Sequence, residues 1–534
     1  MARRNKLESA TVNTESVAPA SRRGFLKTSA ALAGSAALGV LGPGRRVFSG
    51  QEPSGVSARG KMYGLIYFDV EDYFSPPETP SHTLPGQLAD IMHKHGMRGS
   101  FHIMGERARF WERHRMTSVI ESIKRHDVSL HYDRGSIHPT TAEEVSELDW
   151  FQGVDRVLFR ELPGFQALQR IFGKCSGLTQ HGGTFAAQIV YAAGKLGKPF
   201  FYSPFRLPGR NVAWYCNNLL IGGYQAPFSF DVFYKDTPKF EAQLAKVNPY
   251  LDKRAEAFDF TAMFGCHPVR ALMDEFPDAI NFSNGASPSP KDWVAPTLAK
   301  DASVPRILRN FERLIVTLVE HPKVEWTTVE GINNLYGQRP VRVGDRHVLA
   351  GAEEVVRNGG PTYTPLLSAG ELLYLLARRV IAPAKTYDVP QVMGPTEEPG
   401  KNKPGAAVSP AALAHEIVRA VMSSGYLPPR LECGGGSVSL GSAMLQLACH
   451  ATGRDLPPEN KRRLSVDAIP GVPEATENVK RYKKWRIHGQ RYRQGPILEH
   501  FKRQCWTLKP AFTQQEYDQG VALGRYLNPM FERK

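Results

Sequence analysis

The chain has 534 residues, 42% hydrophobic and 22% charged, so it is long enough for two or three domains and too apolar for a disordered chain. Sixty-seven basic residues against 52 acidic ones give a net charge of +15, a balance that suits nucleic acid or another anionic polymer. The six cysteines (Cys175, Cys216, Cys266, Cys433, Cys449 and Cys505) stand far apart with no CxxC pair, which argues against a cysteine zinc cluster and a disulfide-dense scaffold.

Near the start, Ser21-Arg22-Arg23-Gly24-Phe25-Leu26-Lys27 precedes an Ala- and Gly-rich apolar run from Thr28 to Gly42. That is the twin-arginine export pattern, and the run is too short and too weakly apolar for a membrane span. Residues 1–58 are therefore expected to be signal and linker, with no transmembrane span beyond them and a periplasmic or envelope destination. Export argues against nucleic acid as the partner of the basic charge. It also means that the protein crosses already folded, so a metal can be loaded in the cytoplasm.

From Lys61 to about Gly337 short apolar runs alternate with amphipathic helical ones, the signature of an α/β unit. Met62 to Phe68 reads as a buried strand that ends in three acids, Asp69, Glu71 and Asp72. Buried carboxylates are costly unless they meet a cation, a metal or a substrate. Leu84, Leu88, Ile91 and Met92 then fall at helical spacing, and Gly96 stops that helix. Gly99 to Met104 forms a second strand, and Val128 to Leu130 a third that runs straight into His131. A helical stripe from Ile307 to Val319 leads to a last strand, Val324 to Thr327. Polar groups thus gather at C-terminal strand ends, the face on which parallel barrels build chemistry. Residues 59–340 are expected to form a parallel α/β barrel.

From about Arg339 the composition shifts to Pro, Gly and compact helices. Serine caps recur at Ser368, Ser409 and Ser439, and hydrophobe–proline pairs at Val389-Pro390, Leu427-Pro428 and Leu456-Pro457. Residues 341–470 read as a smaller helical repeat region. Residues 471–534 read as a basic segment, with Lys480-Arg-Tyr-Lys-Lys-Trp-Arg486 and Arg491-Tyr-Arg493 interleaving aromatics. Such a run suits an anionic envelope polymer, although more often it is a solvated face.

Together, Asp69-Val-Glu-Asp-Tyr-Phe74, Gly86 to Glu106, His126-Asp-Val-Ser-Leu-His131, Gly265-Cys-His-Pro268 and Glu325-Trp-Thr-Thr-Val-Glu330 resemble, in order, motifs of the polysaccharide deacetylase family with its NodB homology domain. The resemblance covers about half of the chain. It implies a distorted parallel (β/α) barrel over residues 59–340 that holds a divalent metal, usually zinc, through one acid and two histidines, and that hydrolyses N- or O-acetyl groups on a polysaccharide. Carried over residue by residue, Asp69 is the base and His267 the general acid. Asp72, or else Glu71, is the metal acid.

His131 is the first metal histidine. Gly135 stands where the family has its second, so His138 is expected to replace it, with Asp133 in reserve. The family's third-motif arginine is missing, and His181 occupies its neighbourhood. His181, Glu71 and Trp293, whose flat face can stack on a pyranose, are placed on the substrate side. The C-terminal repeats resemble pseudomurein-type wall-binding repeats, which implies a module holding the barrel on its polymer. The rival reading from the same residues is a catalytically silent glycan-binding protein that keeps the barrel.

Overall fold

The computed structural model describes residues 62–207, 210–222, 237–257, 260–398 and 408–518. The twin-arginine segment lies outside the described residues.

The strands are β1 (Met62–Val70), β2 (Ser100–Ile103), β3 (Asp127–Leu130), β4 (Leu178–Thr179), β5 (Phe200–Phe201), β6 (Val212–Tyr215), β7 (Asn218–Ile221), β8 (Phe260–Cys266), β9 (Val324–Thr327), β10 (Arg342–Gly344), β11 (Thr386–Asp388), β12 (Leu431–Cys433), β13 (Gly436–Val438) and β14 (Lys509–Pro510). Ten of them make one sheet in the order β14-β6-β7-β5-β4-β3-β2-β1-β8, with β9 paired to β1. β1 pairs in parallel with β2 through its C-terminal half and with β9 through its N-terminal half. β8 lies parallel along its other edge. This is the distorted parallel barrel that the family resemblance implies.

Parallel strands buried on both faces need near-continuous apolar runs, and β1 is buried along almost its whole length. Helices cover the outside. In the helix Val304–Val319, Ile307, Phe311, Leu314, Ile315 and Leu318 are buried while Val319 faces out. Burying those five side chains is worth about 10 kcal/mol as an upper estimate. The helix Leu84–Lys94 begins and ends within two residues of its expected bounds, and Gly96 beyond it takes a φ of 69° that suits glycine.

Beyond residue 341, three helices each begin on a serine that the sequence singles out. Ser368 forms a capping box with Glu371, Ser409 accepts from the Ala412 N–H, and Ser439 from that of Ser442. This region shares its buried core with the barrel. β14 also joins the barrel sheet, antiparallel to β6. The buried Lys509 ammonium at that join donates to Glu371 (2.7 Å) and to the Leu366 carbonyl (3.1 Å). Among the described residues no helix is long and apolar enough to cross a membrane.

Candidate metal centre

Four parallel strands deliver polar side chains to the C-terminal end of the barrel: Asp69 from β1 and Glu71 just after it, His131 just after β3, His181 two residues after β4, and His267 just after β8. On an extended chain alternate residues share a face, so Tyr67, Asp69 and Glu71 all point inward. Glu71 Oε1 lies 3.2 Å from His131 Nε2 and 3.3 Å from His181 Nε2. All three groups are buried, with their ligand-type atoms within 4.8 Å of one another.

A tetrahedral zinc with bonds of about 2.0–2.1 Å holds its ligand atoms roughly 3.3 Å apart, so this carboxylate–imidazole set fits such an ion. The proton positions fit as well. Thr179 Oγ1 donates to the Leu130 carbonyl (3.2 Å) and therefore accepts from His131 Nδ1–H (2.8 Å), which leaves the His131 Nε2 lone pair facing Glu71. Burial raises the Glu71 carboxyl, but the His181 charge and the hydrogen bond from its ring outweigh it and hold Glu71 well below the usual range. Burial lowers His131, which favours the neutral ligand form.

Asp69 sits beside the triad. Its Oδ1 accepts from His102 Nδ1 (2.8 Å), and its Oδ2 lies 3.5 Å from His267 Nε2. His102 is the register partner of Asp69 on β2 and is fully buried, stacked on Tyr67 with ring centroids 5.1 Å apart. Burial raises Asp69, while the surrounding imidazoles, with His131 nearby and His102 hydrogen-bonded to it, bring it below its ordinary value, so it is an ionised acceptor at neutral pH. His267 is the open side of the group: its side chain is 27% exposed against 1% for His131.

Two of the expected metal residues lie elsewhere. Asp72 falls on the other side of the strand by alternation and turns into the following loop. There it accepts from the Phe74 and Ser75 N–H groups (3.1 Å each) and from the Ser81 hydroxyl, beside the buried Arg107. His138 has both ring nitrogens engaged, Nδ1 with Glu143 (2.6 Å) and Nε2 with the Phe282 carbonyl (3.0 Å), so no lone pair is left for a metal. The reserve residue Asp133 is ion-paired with Arg109 at 2.8 Å.

Glu71 and His181, expected on the substrate side, are instead the groups that converge with His131. Trp293 packs edge-on against Phe74 and Tyr73, with ring centroids 5.0 and 5.7 Å away, and its indole N–H donates to the Pro288 carbonyl.

Three contributors escaped the sequence reading. His102 is visible in hindsight as the imidazole alternating with the apolar Phe101 and Ile103 of β2. Asp278, whose Oδ2 is 3.5 Å from His181 Nε2 and accepts from Ser136, sits in no motif. Burial and the nearby Glu71 charge raise its carboxyl. Trp485 meets the His181 ring at 5.2 Å and 86°, from more than 300 positions away in the chain.

No protein-family model matches the chain, and no curated protein matches it. Solved structures do. A protein assigned as a polysaccharide deacetylase from Mycobacterium smegmatis is 14% identical, over 53% of this chain and 92% of that one, with a TM-score of 0.31. A family 4 acetyl xylan esterase from Clostridium thermocellum, in complex with a cobalt ion, is 12% identical over 51% and 90%, with a TM-score of 0.27. The peptidoglycan deacetylase PdaC from Bacillus subtilis is 11% identical over 56% and 98%, with a TM-score of 0.26. At such identities and scores chemistry has to be read from the site itself.

Proposed function

Starting from a barrel of the polysaccharide deacetylase type, we propose that this chain is an exported, metal-dependent hydrolase that removes N- or O-acetyl groups from an envelope or extracellular polysaccharide. The observation that carries the reading is the buried Glu71–His131–His181 set, in which the Glu71 carboxylate lies at ligand-to-ligand spacing from both imidazoles (3.2 and 3.3 Å), with the ionised Asp69 beside it.

Glu71, His131 and His181 would hold a divalent ion, zinc by the chemistry of one carboxylate and two imidazoles. When bound, such an ion supplies Lewis acidity, which polarises an acetyl carbonyl and makes a nearby water more acidic. Asp69 accepts the proton of the attacking water, and His102 fixes the carboxylate that receives it. Where the resembling family uses an arginine for that purpose, this chain has a neighbouring-strand histidine. His267, on the exposed side, donates a proton to the departing amine or alkoxide. The two products are acetate and the freed amino or hydroxyl group of the glycan.

The test is acetate release from acetylated glycans by full-length protein of measured metal content. Expected are one zinc per chain and release that Asp69→Asn abolishes while metal content stays. Stoichiometric zinc with no release from any acetylated glycan would instead leave the silent glycan-binding reading. A reporter fused to residues 1–60 tests export.

A further inference from the structure

We infer that the glycan acted on at this site is polyanionic, and that residues 481–493 form the wall that reads its charge; the inference rests on the hydrolytic reading above. This segment is fitted onto the metal-side loop. Trp485 closes on His181, and a Cβ built at Gly182 (φ 50°) would fall 2.1 Å from the indole ring, so only glycine allows the approach. The segment is pinned on three further sides. His488 Nε2 donates to the Gly183 carbonyl (3.3 Å), and the Asn284 and Gly285 N–H groups donate to the carbonyls of Arg486 and Ile487 (2.8 and 3.1 Å). The Gly489 N–H donates to Glu143 (3.0 Å).

What this fitted segment shows to solvent is positive. Arg481, Lys483, Lys484, Arg486, Arg491 and Arg493 are exposed, and the sequence has no acid between Glu477 and Glu499. Among the described residues none of the six has an ion-pair partner, whereas the neighbouring Lys480 is paired with Glu477 at 2.6 Å. A solvated face normally mixes both signs. Six unpaired cations held on a rigid segment that touches a metal-side histidine make a field that concentrates an anionic chain at the site. Half-buried Trp485 and Tyr492 sit among them, and Tyr492 is stacked on His488 with centroids 3.9 Å apart. Carboxylate-bearing sugar repeats match both features, flat apolar faces for the rings and regularly spaced charge for the cations.

The test is calorimetric binding of polygalacturonate, with neutral xylan as comparator, to full-length protein at about 10 mM and about 1 M salt, where the screening length falls from about 30 Å to 3 Å. Expected is binding at low salt that vanishes at high salt and exceeds that of xylan. Expected too is a roughly tenfold or greater loss on combined Lys483→Ala, Lys484→Ala and Arg486→Ala. Removing the same charge elsewhere, by Lys253→Ala, Lys300→Ala and Arg309→Ala, should cost less than about twofold by the same screening argument.

Equal binding of xylan, equal losses in the two triple variants, or tighter binding of a DNA duplex than of polygalacturonate would overturn the inference. The salt dependence and the duplex comparison need no variant, so a folding defect in one would not rescue it. Charge-selective binding without acetate release from any glycan would sink the hydrolytic reading alone. Acetate release with no preference for charged glycans would sink this inference alone.

Discussion

Two histidine–carboxylate clusters among the described residues differ in their hydrogen bonding. In the cluster of His138 and Glu143, every acceptor is spent. Glu143 closes a capping box with Thr140, accepts from the Gly489 N–H and holds His138, whose other nitrogen is bound to Phe282. In the cluster of Glu71, His131 and His181, Glu71 Oε1 and the Nε2 atoms face one another across 3.2 and 3.3 Å. The first arrangement is complete without a ligand and staples a loop. The second gathers a carboxylate oxygen and two ring nitrogens around one point, the donor set that a zinc ion takes. Residue types are alike in both, so spacing from a strand end does not by itself distinguish ligand from staple.

The comparison breaks most visibly on metal content. Glu71→Gln, His131→Ala or His181→Ala should each lower zinc affinity by at least about 100-fold, whereas Asp72→Asn and His138→Ala should leave zinc stoichiometric by elemental analysis. Zinc loss in His138→Ala with zinc retained in His181→Ala would reverse the assignment.

Next in size is the orientation of Asp69. His102→Phe should lower kcat about 100-fold with zinc retained and KM little changed. His102→Asn, whose amide N–H can reach the same carboxylate oxygen, should recover part of that loss. A zinc-depleted His102→Phe protein would mean that the residue is structural.

His138→Ala should then cost about 3 kcal/mol of stability in denaturant unfolding, because it leaves the Glu143 carboxylate buried without its partner. Its pH dependence sharpens the point. Burial lowers His138, but the Glu143 hydrogen bond outweighs burial and raises it; burial raises Glu143, but His138 and two N–H donors bring it down to about 2. The raised histidine contributes stability that is full below its unfolded value of about 6.5 and is lost as pH rises through the folded one. The depressed carboxyl contributes above its unfolded value of about 4.3 and loses it as pH falls toward about 2. The gap in melting temperature between wild type and His138→Ala should therefore be widest between about pH 4.5 and 6.5.

The smallest effect is expected at the helical region. Ser368→Ala removes one capping-box partner and should cost about 1 kcal/mol with zinc content unchanged.

Local patterns in the sequence were enough to draw much of the barrel and to single out Asp69, His131 and His267. Strand alternation, helical stripes and serine caps are set by neighbours a few residues apart, so β1, β9, the helix Val304–Val319 and the capped helices could be read without coordinates. The acid beside Asp69 was also within reach, because alternation puts Glu71 and not Asp72 on the inward face.

The partner of His131 was not within reach. His181 lies 50 positions beyond it, and His102 meets Asp69 only through the β1–β2 register. Trp485 meets His181 only because the C-terminal segment folds back onto the barrel that carries β14. Sequence determined which residues could do chemistry. Which of them share one point in space was decided by strand order and packing, since hydrogen-bond saturation and ligand spacing depend on distances that no local pattern encodes.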